Sequence, residues 1–184
     1  MPTWLIIVLA VVAVLVLWII GSYNGLVRLR NRVRDQWAQI DVQLKRRFDL
    51  IPNLVETVKG YAKHESETLE NVVKARNTYL SASTPEAQME ANGELTQAIS
   101  KLFALAEAYP DLKANTNFVK MQEDLKETED KISYARQFYN DTVLQYNNKV
   151  EVIPTNIIAG MFGFKKEAFF EAQGAERENV QVKF

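Results

Sequence analysis

From Trp4 to Ile20 the chain runs through 17 consecutive apolar residues, and its first 22 residues carry no charged side chain. As a helix rising ~1.5 Å per residue this run spans ~25 Å, and its uncharged flanks, Thr3 to Ser22, extend it to ~30 Å, the thickness of a bilayer's hydrocarbon core. Trp4 and Trp18 stand near its two ends and Tyr23 just beyond, where amphipathic rings favour the lipid–water boundary. A cleaved signal peptide is the main competing reading. It would need a basic start and a shorter apolar core, whereas Met1-Pro2-Thr3 carries no Lys or Arg. A retained transmembrane anchor over residues 4–22 is therefore expected, after a short flank of residues 1–3. A lipid bilayer is its first partner.

Arg28, Arg30, Arg32 and Arg34 follow the run closely. By the positive-inside rule they place the rest of the chain in the cytoplasm, and Arg28 and Arg30 are candidate contacts to anionic headgroups. The absence of Cys fits either side of the membrane. With 22 Lys and Arg against 23 Asp and Glu, the net charge is −1. The basic excess of a nucleic-acid binder is missing, and no nucleic-acid partner is expected.

Behind the anchor, apolar residues recur at helical spacing in four stretches. Leu26, Val33, Trp37, Ile40, Leu44, Phe48, Ile51, Val55, Val58 and Ala62 form one stripe. The stripe keeps its phase through Pro52, so a single kinked helix is expected from about Tyr23 to Lys63, lacking only the backbone bond from residue 52 to Phe48. A second helix should start at Ser66 as N-cap, with Leu69, Val73, Arg76 and Leu80 in register. Thr84 and Pro85 open a third, carrying Met89, Leu95, Ile99, Leu102 and Ala106, which Pro110 closes. Asn117 can cap a fourth, in which Phe118, Met121, Leu125, Thr128, Ile132, Ala135, Tyr139, Thr142 and Tyr146 step by threes and fours in a coiled-coil-like manner. The fold class is all-α: one transmembrane helix, then an antiparallel four-helix bundle over residues 23–150 with a long, Pro-kinked first helix. Residues 151–184 form a tail, first apolar and then polar. Ile157, Met161, Phe162 and Phe164 in it are possible partner contacts, and Val180, Val182 and Phe184 alternate as if to dock in extended form.

Catalytic patterns are scarce. Without Cys, and with one His in Lys63-His64-Glu65, the chain offers no nucleophile–base pair. Paired Glu-x-x-His metal motifs, phosphate loops and dinucleotide fingerprints are missing. No cofactor and no metal are expected. The denser cluster is Arg46, Arg47, Asp49, Pro52 and Asn53, where basic residues lie among apolar ones one turn from Asp41 and Asp49. Arg–Asp pairs there would lock neighbouring helices and satisfy the kink, or dock another chain.

The run Arg46-Arg47-Phe48-Asp49-Leu50-Ile51-Pro52-Asn53-Leu54, together with Tyr109-Pro110-Asp111-Leu112-Lys113-Ala114-Asn115, closely resembles the LemA family. Tyr23-Asn24-Gly25, Ala75-Arg76, Ala135-Arg136 and Phe162-Gly163-Phe164 continue the likeness. The resemblance implies a single-pass protein of the bacterial inner membrane with a four-helix bundle and no agreed reaction. It also suggests membrane metalloproteases as possible partners. Lipoprotein-like relatives place their bundle outside the cytoplasm, against the direction of the arginines, so the orientation stays open. The leading expectation is a membrane-anchored scaffold or interaction module acting through homo-oligomers or a membrane partner. A lipid-binding, membrane-shaping protein and a cryptic enzyme are the alternatives.

Overall fold

The computed structural model describes residues 2–170, and every regular element among them is helical. Helix α1 covers Thr3–Tyr61, α2 Ser66–Ser81, α3 Pro85–Ala106, α4 Pro110–Lys113, α5 Thr116–Glu151 and α6 Thr155–Met161. The start of α1 is long and apolar enough to cross a membrane, with a mean hydropathy of 3.1. Its side chains are almost all exposed, which separates it from the buried core helix of a water-soluble domain.

The chain divides into two compact units, one of residues 2–38 with 137–169, the other of 39–136 with Phe170. The second unit buries Ile40, Leu44, Phe48, Ile51, Leu54 and Val58 of α1, with the Phe48 ring 4.0 Å from that of Tyr79 on α2. On α5, Phe118, Leu125, Thr128 and Ile132 of the expected stripe are buried, while Met121 and Ala135 are half-buried. On α3 the expected stripe is likewise buried, and Asn92 joins it. On α2 the phase differs from the expectation. Leu69, Val72, Ala75 and Tyr79 face inward, while Val73 (41 % exposed) and Leu80 (56 %) face out. Two apolar positions one residue off the stripe had shifted the reading, and tertiary packing decides between them.

Three helix ends also differ. Ser66 is the first helical residue of α2 rather than its cap, and the N-cap position, Glu65, makes no side-chain capping bond. Pro110 opens the short α4 instead of closing α3, as suits a residue with no N–H to lose in a first turn. The cap of α5 is Asn115, whose Oδ1 accepts from the N–H groups of Asn117 (3.0 Å) and Phe118 (3.1 Å). Thr84 does cap α3, accepting from Ala87 N–H at 3.2 Å, with Pro85 behind it.

In the first unit Leu26 and Val33 of α1, Tyr139, Val143 and Tyr146 of α5, and Ile158 and Ala159 of α6 are buried. Helix α6 ends in a Schellman turn. Phe164 N–H donates to Ala159 C=O at 2.9 Å and Gly163 N–H to Gly160 C=O at 3.3 Å, with Gly163 at φ +69°. The polar end of the tail, with Val180, Val182 and Phe184, lies outside the described residues.

Candidate functional site

Two groups of the sequence-selected residues come together, one in each unit. In the first unit Tyr23, just past the apolar run, packs its ring against Phe162 (centroids 4.8 Å apart) and Phe164 (5.7 Å). The Schellman turn makes this possible by folding Phe164 back under α6, and the Arg30 guanidinium stacks over the Phe164 ring at 4.9 Å. Phe164 is thus buried. Ile157, Met161 and Phe162 remain exposed, as does Ile153 beside them. Helix α6 therefore presents Ile158 and Ala159 inward and a run of large apolar side chains outward, next to the residue that ends the apolar part of α1. Trp4 is exposed, Trp18 and Tyr23 barely so, and Arg28 is exposed.

Residues 165–169 are held by a contact that the sequence reading did not find. The Asn147 side chain pairs with the backbone of Glu167 in both directions, donating to its C=O at 2.9 Å and accepting from its N–H at 3.0 Å. Tyr139 OH donates to Ala168 C=O at 2.9 Å. Lys166 pairs with Glu151. The signal was available, since Asn147 lies one residue past the α5 stripe position Tyr146, but a polar residue beside a stripe has no distinguishing pattern.

In the second unit Arg47 is 2 % exposed. Its Nη1 reaches Glu129 Oε2 at 3.0 Å and donates to Asn92 Oδ1 at 3.1 Å, while both terminal nitrogens reach Thr96 Oγ1 at 3.1 Å. Burial lowers the pKa of Arg47 and the Glu129 carboxylate opposes that shift. The expected Arg–Asp pairs within one turn are absent from this arrangement. Both partners' acids belong to α5, with Arg46 3.8 Å from Glu127, because residues on one helix face outward together whereas a buried guanidinium must find its acceptors across the core. Asp41 instead accepts from Tyr79 OH at 3.3 Å. Asp49, Pro52 and Asn53 are exposed.

The carbonyl that Pro52 leaves without its helical donor is that of Phe48. It accepts from Arg76 Nε of α2 at 3.3 Å. Arg76 lies in helical register with Leu69, Val73 and Leu80, and that spacing alone gives no sign of this role.

Between residues 55–63, at the end of α1 and just beyond it, and α2 runs an open groove of about 850 Å³, lined by Val55, Leu69 and Val73 and by Lys59, Lys63 and Lys74. His64 is exposed in the α1–α2 connection. Among the described residues no group of His, Cys, Asp or Glu is placed to hold a metal ion.

The stretch that builds the Arg47 cluster and the Phe48–Arg76 contact falls inside a match to the LemA family over residues 36–184. The chain belongs to the LemA family. It is 25 % identical over 164 residues to the Protein LemA of Metamycoplasma hominis, covering 89 % of this chain and 75 % of that one. To the magnetosome protein MamQ 2 of Paramagnetospirillum magneticum it is 24 % identical over 194 residues, covering 91 % and 71 %. To MamQ of Magnetospirillum gryphiswaldense it is 24 % identical over 179 residues, covering 83 % and 66 %. None of these LemA-family relatives bears the name of an enzyme.

Proposed function

We propose that this LemA-family protein is a membrane-anchored helical-bundle scaffold or interaction module of the bacterial envelope that acts through copies of itself, or through a membrane partner, rather than by catalysis. Residues 4–22 are its anchor, residues 23–150 a four-helix bundle bent at Pro52, and residues 151–184 the tail. The observation that carries this reading is an exposed apolar helix of membrane-spanning length, continuous with a polar, helical part of the chain. The buried charge of Arg47 is absorbed by Glu129, Asn92 and Thr96, an arrangement that suits a structural lock. The relatives' names fit a non-catalytic role. A membrane metalloprotease is one candidate partner, to be sought by capture. Extraction in native membrane patches followed by mass measurement should return more than one copy, or one copy with a stoichiometric partner. A lone monomer would sink the proposal.

A second reading, a lipid-binding and membrane-shaping protein, is favoured by the exposed Ile153, Ile157, Met161 and Phe162 beside Tyr23. Reconstitution into vesicles tests it: wild type should change vesicle shape and a chain with Ile157→Glu and Met161→Glu should not. Equal behaviour of the two chains rejects this reading.

A further inference from the structure

We propose that the cleft just beyond the anchor is a binding site for the phosphate of an anionic lipid headgroup. The assignment rests on residues 4–22 lying in the bilayer. The cleft, about 550 Å³, is lined by Gly25, Arg28 and Arg32 of α1 and by Gln145, Asn148 and Lys149 of α5, all in the first unit. Its charged side chains are all cationic. The three cations, Arg28, Arg32 and Lys149, gather around one cleft with no carboxylate in its lining. None of the three has an ion-pair partner among the described residues, and Glu151, two residues from Lys149, is engaged by Lys166.

The depth is right for a headgroup. Gly25 is five residues past Ile20, hence ~7 Å beyond the apolar run along the helix axis, and the headgroup layer is ~5–8 Å thick. The Lys149 ammonium lies 3.4 Å from where a Cβ on Gly25 would stand, so it sits at that same level. Arg28 and Arg32 are one turn apart on one face of α1. Helical side chains lean toward their helix's N-terminus, here toward the bilayer, which brings the Arg28 guanidinium up to the phosphates, with Arg32 one turn behind it as a more distant cation. Arginine offers a phosphate two parallel N–H donors, and the Asn148 and Gln145 amides add neutral ones. The bare backbone of Gly25 lets the Lys149 ammonium come in close.

The test uses the full chain in nanodiscs of mixed phosphatidylglycerol and phosphatidylcholine, with the lipids retained on release counted by native mass spectrometry. Wild type should retain phosphatidylglycerol preferentially. Arg28→Gln and Lys149→Gln should each weaken the preference about fivefold, the effect of one juxtamembrane cation, and Arg32→Gln by less. Lys131→Gln, in the other unit, should leave it unchanged. Gly25→Leu crowds the Lys149 ammonium out of place without altering net charge and should weaken retention too. No preference in wild type overturns the proposal. So does a Gly25→Leu chain that retains lipid as wild type does, since the attraction is then diffuse. Displacement of the lipid by millimolar inorganic phosphate would assign the cleft to free phosphate and overturn the lipid source. Failure of the anchor reading is separately visible: a chain that does not float with vesicles in alkaline carbonate is not anchored, whatever its lipid preference.

Discussion

Arg76 does for the Phe48 carbonyl what residue 52 would do were it not proline. Replacing it with Met leaves that buried acceptor unpaired, and the loss should be about 1–3 kcal/mol in denaturant unfolding followed by circular dichroism in detergent. In a Pro52→Ala background residue 52 can donate to Phe48 again, so the same Arg76→Met change should cost clearly less. Equal losses in both backgrounds would show that Arg76 acts elsewhere. At Arg47, Met should cost about 2 kcal/mol, below the usual loss for a broken buried pair because Glu129 is partly exposed and rehydrates. Lys should recover less than half of that, since one ammonium cannot serve Asn92, Thr96 and Glu129 in the geometry of a planar fork. Full recovery by Lys would mean that only the charge matters. Tyr79 gives the pH dependence. Burial, and then the Asp41 carboxylate, raise its pKa above the ordinary phenol value. Its contribution is therefore complete below pH ~10 and is lost as pH rises above that, where the unfolded phenol ionises first. Tyr79→Phe should flatten this alkaline loss while changing stability little at pH 7. An alkaline limb identical to wild type would refute the assignment. The Arg-Asp-Pro cluster was visible in the sequence as a place of importance, but its partners were not. Asn92, Thr96 and Glu129 lie far along the chain, and local spacing carries no information about which helices meet.

At the scale of elements, legibility followed length. The stripes of α1 and α5 run for many turns, so most inward positions from Ile40 to Val58 and from Phe118 to Tyr146 could be read from periodicity, although Leu54 and Val143 are buried off the stripe and Val55, Met121 and Ala135 on it are only half-buried. Helix α2 has only four turns and apolar residues on two adjacent lines, and there Val73 and Leu80 were misplaced. They form part of the wall beside the open groove or face solvent. Helix α6 was not read as a helix at all: seven residues, interrupted by Gly160 and bounded by Pro154, give periodicity nothing to repeat. What marks it is its stop, the Gly163 turn within Phe162-Gly163-Phe164. A Cβ at Gly163 would touch nothing, so Gly163→Ala tests the backbone conformation alone, at about 1–2 kcal/mol for a left-handed non-glycine residue. The N–H of Phe164 should then exchange with deuterium markedly faster, and unchanged exchange there would mean that the turn is not held by glycine.

For the molecule as a whole, the arginines between positions 28 and 34 predict that the part after the anchor faces the cytoplasm. With no native Cys, a Lys126→Cys chain can be labelled in intact cells without background. Protection from an impermeant thiol reagent until the membrane is opened is the expected result, and labelling of intact cells overturns it. The division into two units has a consequence for how the chain is made. The second unit is essentially one continuous stretch, residues 39–136, so each of its helices meets its neighbours soon after leaving the ribosome. The first unit joins residues 2–38 to 137–169 and waits for a segment synthesised far later. Its early half must keep Leu26 and Val33 uncovered through most of translation. Closing so long an intervening loop adds little entropy cost beyond that of a shorter one, but it makes the unit's assembly late and non-local. A ribosome stalled short of residue 137 would carry the second unit finished and the first still open, the stage at which a holdase has the most to protect.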